Sequence, residues 1–168
     1  MKHLSSILVL FVVATSATAQ EKAVILAGAE LQRVVPTGFY FQGLSAPTQM
    51  RNSAAARFGT DRYVISGLVD TSGYSEDVRA KYVGFLIADS SITLNVESLP
   101  TGAYGFSFGI AGRLTVMDLA GKDLMSVNIS NDNSLRRPHP LIMAAHPRWW
   151  CAAVQRPRLS HRGAVTQR

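Results

Sequence analysis

Between residues 23 and 145, apolar side chains alternate with small or polar ones over short runs, and Gly, Pro, Asn, Asp and Ser separate the runs. Ile92, Leu94 and Val96 alternate with Thr93 and Asn95; Tyr104, Phe106 and Phe108 with Gly105 and Ser107; Met125, Val127 and Ile129 with Ser126 and Asn128. Side chains two apart share one face of a strand, so each run offers one face to a core and the other to water. Leu99-Pro100-Thr101-Gly102 combines the fixed φ of proline with the permissive φ of glycine, which predicts a reversal between the Ile92 and Tyr104 runs. The sequence around Gly109 and Gly112, and Ala120-Gly121-Lys122-Asp123, predict the next two turns. With residues 82–88 leading, the pattern predicts a meander of about five antiparallel strands.

Upstream, strands are predicted at 23–27, 30–35, 39–42, 50–58 and 63–69, and residues 140–145 fit one more. Residues 72–81 are polar, with Glu76 and Asp77 ahead of Arg79 and Lys81, an order that suits the dipole of a short helix and is also compatible with an ordered loop. The fold class that follows is all-β: an antiparallel β-sandwich of about 8–10 short strands, with an irregular barrel as the alternative.

The first residues have a different character. Lys2, an apolar run from Ile7 to Ala14, and Ala17-Thr18-Ala19 before Gln20 read as a signal peptide over residues 1–19, which implies a secreted or periplasmic protein. The mature domain, residues 20–145, is long enough to bury a core, and no segment has the ~20 consecutive apolar residues of a membrane span. The one cysteine, Cys151, has no internal partner for a disulfide, so packing must hold the domain together.

A formal charge of +6 suggests nucleic acid or a membrane surface until it is located. Residues 20–135 hold nine Lys or Arg against 11 Asp or Glu, whereas residues 136–168 hold seven Arg and no acid. The basicity belongs to the tail, which argues against a nucleic-acid partner for the domain. From His146-Pro147-Arg148-Trp149-Trp150-Cys151 onward no strand or helix period continues. Residues 146–168 therefore read as an unstructured basic tail, as the product of a shifted reading frame, or as a basic arm for anionic lipid, nucleic acid or a cell-surface polymer. A frameshift would remove a closing strand and leave an unpaired sheet edge open to self-association.

Histidine and cysteine are absent from residues 20–138. A Ser-His-Asp or Cys-His centre, or a zinc site of His and Cys ligands, is thereby excluded from that stretch. Ser-x-x-Lys, Gly-x-Ser-x-Gly, phosphate-cradling and dinucleotide motifs do not occur in it either, and nothing calls for a cofactor. What remains for catalysis is a carboxylate pair drawn from Glu30, Glu76, Glu97 and the aspartates, as in glycoside hydrolysis. Asn131-Asp132-Asn133 has oxygen ligands suited to calcium, but its spacing is that of a polar turn. Phe39-Tyr40-Phe41 places adjacent aromatics on opposite sheet faces, and Tyr74 stands in a polar segment. Phe39, Tyr40 and Tyr74 are the candidate binding residues, suited to stacking on a sugar or a protein partner.

Leu99-Pro100-Thr101-Gly102-Ala103-Tyr104-Gly105-Phe106, Asp118-Leu119-Ala120-Gly121-Lys122-Asp123-Leu124 and Arg136-Arg137-Pro138-His139-Pro140-Leu141 resemble a family of exported bacterial proteins of unknown function. The resemblance covers roughly residues 23–143 and implies a β-sandwich; its motifs are turns and strands, so it carries over no catalytic residue. The family continues with a further aromatic strand where this chain changes at residue 146. The reading that results is an exported, non-catalytic binding or envelope-accessory domain with a glycan or envelope protein as partner; the alternative is a carbohydrate-active hydrolase built on two carboxylates.

Overall fold

Pleated segments account for most of the described residues of the computed structural model, which are 23–109, 112–129, 141–145 and 150–153. The elements in chain order are β1 (Ala23–Ile25), α1 (Gly28–Val34), β2 (Gly38–Phe41), β3 (Leu44–Phe58), β4 (Arg62–Val69), α2 (Glu76–Lys81), β5 (Gly84–Ala88), β6 (Ile92–Leu94), β7 (Glu97–Leu99), β8 (Gly102–Gly109), β9 (Arg113–Met117), β10 (Asp123–Asn128), β11 (Ile142–Ala145) and β12 (Trp150–Ala153). The signal segment, Asn131-Asp132-Asn133 and all four histidines lie outside the described residues. β12 falls within the segment set apart above as a basic tail and pairs with β11.

Seven strands run β1-β3-β4-β5-β8-β9-β10, every neighbour antiparallel, and β2 adds to the first part of β3. β1 and β10, the ends of the path, do not pair with each other, so the fold is antiparallel all-β with no closed barrel.

The register sorts the core into two faces. Ala55↔Ile65, Gly67↔Phe85 and Phe85↔Gly105↔Met117 align on one face, where they meet Phe39, Phe41, Ala46 and Tyr82. Ala54↔Ser66↔Leu86↔Tyr104 and Phe106↔Val116 align on the other, where Leu99 of β7 and Leu141 join them. A sheet that is apolar on both sides needs a cover on both. On the first face the β2–β3 hairpin and α1 provide it, and on the second the β6–β7 hairpin does, with Leu141 and Met143 beside it.

The bend in β3 makes the first cover possible. Thr48 pairs with Val69 but Ser53 pairs with Gly67, so β3 carries extra residues between them and turns out of the sheet. Side chains compensate for the interrupted ladder: Gln49 Nε2 donates to the Val69 carbonyl at 2.9 Å, Asn52 Nδ2 to Gln49 Oε1 at 2.6 Å, and Ser53 Oγ to the Gln49 carbonyl at 3.1 Å.

At α1 and at β6–β7 the structure differs from the pattern-based prediction. Residues 30–35, predicted as a strand, lie largely in α1: Leu31, Val34 and Val35 follow the i, i+3, i+4 spacing of a helix and all three pack on the first core. The predicted strand 92–96 is instead a tight hairpin, because Asn95 takes a positive φ of 58° and reverses the chain into β7. The meander is accordingly β5-β8-β9-β10, with β6 and β7 as an excursion between its first two strands.

Candidate functional site

The sequence Phe39-Tyr40-Phe41-Gln42-Gly43-Leu44 builds a rigid platform. Gln42 and Gly43 take φ values of 52° and 78°, the doubly positive backbone of a two-residue reversal that matches strand twist. The pleat then points Phe39 and Phe41 inward and Tyr40 outward. Phe39 is buried and stacks on Phe85 with centroids 4.8 Å apart and 14° between planes. Phe41 is buried against Tyr82 at 5.0 Å. Tyr40 remains 61% exposed.

Beneath the hairpin, the Tyr82 hydroxyl donates to the Phe39 carbonyl. Burial pushes the Tyr82 phenol up to about 12; the neighbouring Ala46 backbone opposes that rise and Tyr74 adds to it. This phenol is a neutral structural donor, fixing the inner face from which Tyr40 projects.

Tyr74 lies at the rim. Its ring packs on the first core and its hydroxyl donates to the Ser45 carbonyl at 2.6 Å. Ser45 is the register partner of Tyr40. The two candidate tyrosines therefore flank one residue, Tyr40 across the hairpin from it and Tyr74 bonded to its backbone. Of the three aromatic candidates, Phe39 serves the core, Tyr74 anchors the rim and Tyr40 alone offers most of its ring to solvent.

The sequence reading did not single out the second border of this surface. Gln42 N–H donates to the Leu119 carbonyl at 2.8 Å, so the β9–β10 turn docks on the hairpin turn and brings Leu119, 44% exposed, to it. That turn is rigid: Asp118 Oδ1 accepts from the backbone N–H groups of Ala120 and Lys122, each at 2.9 Å. No pattern in the sequence links position 42 with position 119; the turn chemistry of Asp118 was the available signal.

Chemically, this surface offers an aromatic face with a hydroxyl tip, an aliphatic neighbour and exposed Gln42 and Ser45. Such a set suits stacking and hydrogen bonding. Glu30, Glu76 and Glu97 stand exposed on three separate elements, α1, α2 and β7. Among the described residues no group of three or more His, Cys, Asp or Glu side chains gathers in a metal-holding arrangement. No protein-family model, no curated protein and no solved structure matches the chain.

Proposed function

We propose that this chain is an exported, non-catalytic binding domain of the cell envelope, and that its contact surface centres on Tyr40, with an envelope glycan or envelope protein as partner. The observation that carries the reading is the 61% exposure of Tyr40 between two buried aromatics on a hairpin whose inner face is locked into the core. An exposed aromatic on a fixed backbone gives contact area at low entropic cost. Tyr74, Gln42, Ser45 and Leu119 border the contact. Export is supported by the leading segment, with Lys2, the apolar run and Ala17-Thr18-Ala19.

The test is a glycan array together with a pull-down from envelope extract, run with the native protein and Tyr40→Ala. Truncating a central aromatic anchor costs about 2 kcal/mol, roughly a thirtyfold loss of affinity, while the thermal midpoint stays within about 2 °C. Absence of a ligand in both assays, or equal retention by Tyr40→Ala, refutes the proposal.

A further inference from the structure

We infer that the β6–β7 hairpin guards the free edge of β10 against pairing with the same edge of a second copy of this chain, and that the Asn95 amide holds the guard in place. β10 ends the sheet path and its only strand partner among the described residues is β9. Ile129 N–H donates to the Gly112 carbonyl at 2.7 Å, and the adjacent register pair is Asn128↔Arg113. Antiparallel pairs alternate between bonded and non-bonded, so the N–H and C=O groups of Asn128, and of Ser126 two residues earlier, point away from β9 toward the outer edge.

An outward row of this kind is a template for another strand. Here its last carbonyl is taken: Asn95 Nδ2, at the tip of the β6–β7 hairpin, donates to the Asn128 carbonyl at 2.9 Å. The reach depends on the turn, because the positive φ of Asn95 reverses β6 into β7 at that residue and leaves the neighbouring Val96 93% exposed. At the other end of β10 the register shifts between Asp123 and Met125, a bulge that interrupts the same edge. Two separate features thus blunt one edge.

The partner is a second copy because the edge is compatible with itself. A two-fold pairing centred on Ser126 sets Asn128 opposite Leu124 of the other copy and Asp123 opposite Ile129, so no like charges meet. For that pairing to form, the Asn95 amide must leave the Asn128 carbonyl.

The experiment compares the native chain with Asn95→Gly, which keeps the positive φ without strain and removes the donor. Asn95→Asp is the second variant: it tolerates the same backbone and presents an acceptor to the carbonyl. Sedimentation velocity over a concentration series reads association, and amide hydrogen exchange at Ser126 and Asn128 reads the edge. Both variants are expected to self-associate roughly fivefold more tightly than the native chain, the effect of one net hydrogen bond. The Ser126 and Asn128 amides should become protected as concentration rises. Variants that sediment as the native chain does, association that leaves these two amides unprotected, or protection of both amides in dilute native protein would each overturn the inference.

Discussion

Adding one methyl group at Gly105 would drive it into the buried ring of Phe41. A Cβ there would lie 2.5 Å from Phe41 Cδ2, nearer still to Cε2 and 3.1 Å from Cζ. Ordinary carbon contacts sit near 3.5 Å, so the ring would have to retreat by about 1 Å. It has little room: Phe41 is 1% exposed and the Tyr82 ring stands 5.0 Å behind it. Overpacking of this kind costs about 1–3 kcal/mol, and the gain of alanine over glycine in a strand offsets roughly 0.5–1 kcal/mol. Gly105→Ala should therefore destabilise the fold by about 1–2 kcal/mol, which for a chain of this size lowers the thermal midpoint by about 5 °C. The double variant with Phe41→Leu removes the obstructing ring edge, so its cost should fall short of the sum of the single costs by at least about 0.5 kcal/mol. Urea and thermal unfolding of all four proteins form the cycle. A midpoint for Gly105→Ala at or above the native one, or strict additivity with Phe41→Leu, would refute the reasoning.

Asp118→Ala removes the acceptor shared by the Ala120 and Lys122 amides and should cost about 1–2 kcal/mol by urea unfolding, with raised amide exchange at both positions; unchanged exchange would show that the carboxylate does not hold the turn. Tyr82 gives a pH dependence. Its folded pKa of about 12 lies above the ordinary 10, so its contribution is fully present below pH 10 and is lost as pH rises from there through about 12. Tyr82→Phe should remove the tyrosinate absorbance transition near 12 and flatten the alkaline fall in stability across that window. Persistence of a transition near 12 in the variant would assign it to another residue.

Period-two alternation read strand positions well where a strand is buried on one face per residue class. The Tyr104, Phe106, Phe108 set and the Met125, Val127 set each share a side, and the strands they lie on, β8 and β10, fall where the alternation placed them. It failed at α1, where Leu31, Val34 and Val35 also satisfy a helical period, and in a run this short local pattern does not choose between the two. It failed again at Asn95, which reads as a polar strand position until its backbone turns.

The candidate surface was half legible. Phe39-Tyr40-Phe41 announced that one of two aromatic classes would face solvent, because neighbouring residues in a strand point opposite ways. Which class it would be depended on what lay beneath the hairpin, and Phe85, Tyr82 and Gly105 decided that from 41 to 64 residues further along the chain.

By itself the sequence determined the antiparallel all-β character, the turns at Pro100-Thr101 and Ala120-Gly121, the absence of histidine and cysteine from residues 20–138, and the contrast in charge between residues 20–135 and the basic residues 136–168. These follow from the pleat, from the φ preferences of Gly, Pro and Asn, and from composition, all of which act locally. The tertiary structure alone decided that one sheet carries both cores, that β3 bends to cover its own sheet, that the Leu119 carbonyl meets the hairpin turn at Gln42, and that Asn95 reaches the edge at Asn128. Each of these joins residues far apart in the chain through register and packing, and no local preference encodes the distance between them.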